Sequence, residues 1–426
     1  MLDRQVAPPV QPLASVILPA ADVLSLPNGA RLHILRNDAQ PVIRLQIVFP
    51  AGKWYEPQLG VSLLAARMLL EGTSSRTARQ IADTVAFYGA SLECEQGFDR
   101  TALTLYCLTR HIEVLLPLVQ DVATEATFPT TEFELLKSRT VQNVRIERQK
   151  TSYLAAERFS HNLFGNSYPY GVTFDENSFK KLTPDIVKAF YRTFYQIGSA
   201  EIFLCGDISD RHEQLVARAF GQGSADHQES AEQDEPHILT VAQHDYVTVE
   251  QSLQASLRIG RLWPSPTHPD AHHLQVLVKV LGGYFGSRLM KNIREDKGFT
   301  YGIYSSIAPR EHASMFVIGT DVNAASAEAA IEEVHNELRR LQDESIPIEE
   351  LQTVKTYMAG KFANELSTVF EQCDKYKTVV LLGLPNTHYS DFLRQINLVS
   401  SDELQQLAQT YLSPENMIEV VAGPVK

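Results

Sequence analysis

Positive charge, cysteine and long apolar runs are all scarce in this chain. Against 51 acidic residues stand 38 Lys and Arg, giving a formal net charge of −13 at pH 7 and an isoelectric point near 5.5. With no Lys/Arg-rich run, the chain lacks the basic footprint that a phosphate backbone requires, and an anionic membrane surface is excluded on the same ground. The four cysteines, Cys94, Cys107, Cys205 and Cys373, form no CxxC pair. That spacing speaks against a zinc ribbon and against a disulfide framework, and leaves buried thiols as the expectation. No stretch approaches the roughly 20 apolar residues of a membrane-spanning helix. The N-terminal arm MLDRQVAPPVQPLASVILPAADVL mixes an acid with prolines and has no long apolar core. It does not read as a signal peptide, and the cytoplasm is the expected location.

What the chain does have is length and a recurring order. At 426 residues it predicts two to three domains with room for large cores. After the turn signal Asn28-Gly29, alternation predicts paired strands over 31–36 and 42–49. Helical spacing predicts helices over 60–70, 77–88 and 112–126, strands over 90–95 and 101–107, and a long helix from Pro129 to about Lys150. A helix over 184–195 and a strand over 200–205 follow. The segment 221–237, GQGSADHQESAEQDEPH, is acidic and otherwise small or polar, the best linker in the chain. Beyond it come strands within 247–259, a helix over 271–280, a strand pair over 300–306 and 313–321, and a helix over 325–342. The halves also match in detail. Lys137 follows Pro129 within FPTTEFELLK as Lys355 follows Pro347 within IPIEELQTVK. That offset predicts duplication of one α+β unit, divided as 1–220, an acidic linker 221–237, and 238–426.

The stretch 281–306, LGGYFGSRLMKNIREDKGFTYGIYSS, carries the chemistry. Gly282, Gly283 and Gly286 allow close backbone approach, and Leu289 and Ile293 stand one helical turn apart. Gly298 marks a helix stop, with a strand over 301–304 after it. Arg294 in the last helical turn and Tyr301 just inside the strand can then lie on one side, two donors suited to a carbonyl oxygen. The plainer alternative is a capped core helix with Arg294 paired to Glu295 or Asp296.

In Gly282, Gly283, Phe285, Ser287, Arg288, Leu289, Arg294, Gly298 and Tyr301 the chain resembles the M16 (pitrilysin or insulinase-like) metallopeptidases, most closely their two-domain type. The resemblance covers nearly the whole chain. It implies two homologous halves of mixed or antiparallel sheet packed with helices, facing each other as a clamshell around a peptide chamber. It also implies that Arg294 and Tyr301 hold the substrate's scissile carbonyl.

Active members of that family carry HxxEH on the first-half helix, where two His at i and i+4 bind zinc and the Glu acts as base. Here the corresponding segment ends alike, in Met68-Leu69-Leu70-Glu71-Gly72-Thr73, but Leu63 and Arg67 replace the two His and Ala66 replaces the Glu. Arg67 puts a fixed cation where the metal would sit. Glu147, on the next long helix, is the nearest candidate for the family's remaining ligand. Its register is not fixed by the spacing. The cluster His268, His272 and His273 spans a Pro269-Asp270 helix start and reads as a capping segment or solvated pair. No metal or other cofactor is expected in this chain.

The resemblance therefore implies a subunit that orients peptide for a partner chain bearing HxxEH and zinc. The peptide would be extended, added as a strand to a sheet edge. Alone, the chain could pair with a second copy. The alternative is a non-catalytic peptide-binding or assembly subunit, and a hydrolase with a relocated metal would need ligands that the sequence does not offer.

Overall fold

In the computed structural model, residues 18–223, 243–250 and 252–424 are described. Most of the expected acidic linker lies outside them. Strands β1 (Asp22–Ser25), β2 (Arg31–Arg36) and β3 (Val42–Phe49) open the chain. The Asn28-Gly29 turn joins β1 to β2, through Gly29 N–H to Leu26 O at 2.9 Å. Helices α1 (Val61–Met68) and α2 (Ala78–Phe87) precede β4 (Ser91–Gln96) and β5 (Thr101–Leu108). Thr77 starts α2 with a capping box to Gln80. Then follow α3 (Ile112–Thr124), α4 (Thr130–Glu147), α5 (Thr151–Phe164), α6 (Pro184–Phe194), β6 (Glu201–Gly206) and α7 (Asp210–Phe220).

The second half holds β7 (Gln243–Thr248), β8 (Gln254–Trp263), α8 (Ala271–Gly282), the π-helix Met290–Asp296, β9 (Ile303–Ala308) and β10 (Ser314–Asn323). It continues through α9 (Ala327–Asp343), α10 (Ile348–Asn364), α11 (Val369–Leu381), α12 (His388–Leu398), α13 (Ser401–Tyr411) and β11 (Ile418–Gly423).

The expected strand pair 31–36 and 42–49 exists as two strands with the predicted ends, but they are not neighbours. β6 enters between them, parallel to β2 and antiparallel to β3. The first sheet runs β1-β2-β6-β3-β5-β4 and the second β7-β11-β8-β10-β9. Leaving out β1, the two repeat one plan: a parallel pair (β2 with β6, β7 with β11), then three antiparallel steps to an edge strand. The matched lysines repeat as well. Lys137 Nζ donates to Leu182 O at 2.9 Å, just before α6, and Lys355 Nζ donates to Val399 O at 2.6 Å, just before α13. Duplication of one α+β unit thus reaches the hydrogen-bond level.

Each half also lends a helix to the other. The long helix expected to run to Lys150 stops at Glu147, and α5, which the sequence reading missed, crosses to the second sheet. Its Ala155, Phe159 and Leu163, four residues apart, form one buried stripe against Ile418, Val420 and Ala422. In return α11 lies on the outer face of the first sheet. Tyr376 bonds His33 Nδ1 at 2.9 Å, Lys377 reaches Gln46 at 3.2 Å, and Arg44 reaches Asp374 at 3.0 Å.

Residues 309–313, between β9 and β10, close the contact from the other side. Arg310 lies 3.6 Å over the Phe98 ring, His312 stacks on Trp54 at 3.6 Å, and Arg100 grips Glu311 at 2.7 Å. Below this knot the Lys53 ammonium is buried against Val172 O, and desolvation pushes it down to about 8. Between pH 8 and 10.5 the folded chain has therefore shed a proton that the unfolded chain still holds, so folding stability rises with pH across that window. The rise is worth about 3 kcal/mol. Urea unfolding at pH 7.5 and pH 10 measures it, and Lys53→Met is expected to flatten the difference.

Candidate functional site

The helix that would carry a zinc motif is well built. Glu56 accepts from Gly60 N–H, Ser62 N–H and Ser62 Oγ at 3.1, 2.9 and 2.7 Å, so the first turn of α1 is capped by a buried carboxylate that desolvation holds above its usual range. Leu64, Ala65, Met68 and Leu69 are fully buried in the first core; of Met68, Leu69 and Leu70, which the sequence marks as core, Leu70 is only partly buried against it. Leu63 and Arg67 share the opposite face, one turn apart, with Ala66 buried beside them.

Arg67 reaches across to α4, where its Nη1 donates to Thr140 Oγ1 at 3.0 Å; Thr140 in turn donates to Leu136 O at 2.8 Å. A satisfied guanidinium–hydroxyl bridge therefore spans the gap between the two helices. An isobutyl group, a methyl group and a cation are not a zinc ligand set, and these residues do not fit the metal. Among the described residues no group of three or more His, Cys, Asp or Glu is placed to hold a metal ion.

Glu147, the candidate third ligand, lies two turns beyond Thr140, about 10 Å along the helix, and pairs with Lys150 at 2.6 Å. Thr140 is the α4 residue that faces Arg67, a register the sequence did not reveal. Of the histidine cluster, only His272 and His273 belong to α8. His268 sits in the preceding turn, accepting from Asp270 N–H at 3.2 Å. His272, expected in a capping segment or a solvated pair, is partly buried. It packs 4.8 Å from His388 and 5.8 Å from Phe392, and burial first, then His388, pushes it down to about 4.

The second candidate region keeps its expected frame. Gly282 ends α8 so close to β9 that an added Cβ would lie 2.7 Å from Ser305 N, and Gly298 sits at φ +66 after the helix stop. Leu289 and Ile293 are fully buried, but the turn they share belongs to a π-helix, Met290–Asp296, rather than an α-helix. Arg294 stands in its last turn. The short π form occurs often at functional sites.

Arg294 forms no ion pair with Glu295 or Asp296 among the described residues, against the plainer alternative. Its guanidinium lies 4.4 Å over the Phe285 ring, and its Nη1 is buried with no hydrogen-bond partner. Phe285, 64% exposed, thus shapes the site, although the sequence offered only its place in a motif.

Tyr301 is 99% exposed. It lies two residues ahead of β9 rather than inside it, because Thr300 Oγ1 bonds to Gly302 N–H, Gly302 O and Asp321 O and turns the chain there. The two donors are not joined to each other among the described contacts. Chemically the two offer, among the described residues, one unpaired guanidinium N–H and one exposed phenol, both able to donate to a carbonyl oxygen.

Two family profiles match the chain. One, described as insulinase (peptidase family M16), matches residues 32–169, and one, described as peptidase M16 inactive domain, matches residues 181–358. Relatives include a protein described as uncharacterized zinc protease YmxG of Bacillus subtilis, 24% identical over 93% of this chain and 96% of its own. Another, described as non-peptidase homolog YmxG of Helicobacter pylori, is 22% identical over 90% of each. Among solved structures, a peptidase M16 inactive domain from Pseudomonas fluorescens superposes with a TM-score of 0.86 at 24% identity, covering 95% of this chain and 98% of that one. A protease from Helicobacter pylori gives 0.85 at 18% identity, covering 96% and 100%. With both profiles in chain order, the same fold in these structures, and Leu63, Ala66 and Arg67 at the motif positions, the chain belongs to the M16 peptidase family as a member that lacks the catalytic motif.

Proposed function

We propose that this chain is the substrate-orienting subunit of a two-chain M16-type peptidase, holding the scissile carbonyl while a partner chain supplies HxxEH and zinc. The observation that carries the reading is Arg294, whose Nη1 is buried and without a partner, followed seven residues later by the exposed phenol of Tyr301, in a chain whose own metal position is taken by Arg67 bonded to Thr140. Buried donors left without a partner are costly, so a site that keeps one is suited to a ligand that satisfies it. A peptide carbonyl oxygen does so, and more strongly as it gains charge during hydrolysis. The rest of the peptide would lie extended along an edge strand, β4 or β9, where main-chain pairing gives affinity with little sequence demand.

The test is to purify the chain alone and together with an HxxEH-bearing relative, and to measure zinc content and cleavage of quenched-fluorescent peptides. Alone it is expected to be metal-free and inert, and the pair to hydrolyse. Stoichiometric zinc and cleavage by the chain alone would overturn the reading. An inert pair would turn it toward the assembly role.

A further inference from the structure

Two cysteines from opposite halves meet beneath α11. Cys205 stands on β6 directly opposite Arg44 of β3 in the antiparallel register. Arg44 in turn donates from Nη2 to Phe370 O at 2.9 Å and from Nη1 to Asp374 at 3.0 Å. Phe370 and Asp374 bracket Cys373 on α11, so the guanidinium brings Cys373 down onto Cys205. Both thiols are fully buried, in one small cluster with Leu35, Val48 and Phe203.

We propose that Cys205 and Cys373 are an oxidation site at which a hydroperoxide forms a disulfide that staples the two halves together. The Cys373 thiolate attacks one peroxide oxygen, the O–O bond breaks, and the departing hydroxide takes a proton to become water. That leaves a sulfenic acid on Cys373. The Cys205 sulfur then attacks the Cys373 sulfur, the S–O bond breaks and a second water leaves. In sum two thiols and one hydrogen peroxide give one disulfide and two waters.

The surroundings select this pair. The neighbouring Cys205 thiol, and then the Arg44 cation, hold the Cys373 thiol below the ordinary range, whereas the Cys373 neighbour and burial raise Cys205. Burial alone pushes Cys107 up to about 12, and Cys94 is also raised. Since the thiolate is the nucleophile, Cys373 reacts first.

The experiment treats the full chain with hydrogen peroxide at pH 7, blocks free thiols and maps the peptides by mass. The expected result is a Cys205–Cys373 cross-link, with a melting temperature about 5 °C higher that dithiothreitol reverses. Cys205→Ser is expected to leave a trappable sulfenic acid on Cys373 without cross-link or thermal gain, and Cys94→Ser to change nothing. If both peptides stay as free thiols under peroxide that oxidises Cys94 or Cys107, the proposal is wrong. A cross-link that leaves the melting temperature unmoved would equally refute the staple.

Discussion

Arg44→Met is expected to lower the unfolding free energy by about 3 kcal/mol, the cost of breaking a buried, hydrogen-bonded charge pair from one side. Arg44 is 2% exposed, and besides Asp374 and Phe370 O it reaches Tyr106 Oη at 3.0 Å, with the Tyr106 and Phe370 rings each 5.6 Å from its guanidinium carbon. Methionine keeps much of the stem but satisfies none of these groups, so Tyr106 Oη, Phe370 O and Asp374 lose the guanidinium that ties α11 to the sheet. Asp374 is half exposed and keeps Lys377 at 2.9 Å, which holds the expected cost to the lower end for buried pairs. Urea denaturation read separately by far-ultraviolet circular dichroism and by tryptophan fluorescence checks it. The expected outcome is a lower midpoint with α11 undocking before the cores melt; an unchanged midpoint would mean that α11 is held by its apolar contacts alone.

The same region shows where sequence reading stopped. In β2 and β3, residues His33, Arg44 and Gln46 occupy the polar phase of an alternating pattern, which normally faces water. They are 2%, 2% and 7% exposed because α11, more than three hundred residues later in the chain, covers them. Periodicity reports that a strand has two different faces, and it does not report which distant helix arrives on the polar one. For the same reason α5 was missed: its stripe of Ala155, Phe159 and Leu163 packs on the other half's sheet, and the reading tracked a single long helix from Pro129.

What local chemistry dictates was legible. The start of α2 at Thr77, Pro129 ahead of α4, and the ends of β2 and β3 came directly from residue type and spacing. The loss of zinc ligands was legible too, since a Leu, an Ala and an Arg cannot act as donors whatever the fold does. The bridge from Arg67 to Thr140 was not, because the relative register of two helices is a property of packing.

Arg294→Ala in this chain, with an HxxEH-bearing partner left intact, is expected to reduce kcat of the assembled pair about a hundredfold, the usual loss when one donor to a developing oxyanion is removed. Because Arg294 is held over Phe285 rather than tied into an ion pair, its removal breaks no salt bridge of the fold. Stability and pair assembly should stay near those of the parent. The loss should fall mainly on kcat, since a donor that strengthens with charge favours the transition state over the bound ground state.

The most direct measurement is peptide turnover by the co-purified pair when this chain carries Tyr301→Phe, a change that keeps the ring and removes only the hydroxyl. Tyr301 is 99% exposed and lies outside every core, so the variant is expected to fold as the parent does. The expected result is a fall in kcat of about tenfold or more with KM little changed. Equal turnover by both pairs would contradict a carbonyl-holding role and leave the chain as an assembly subunit.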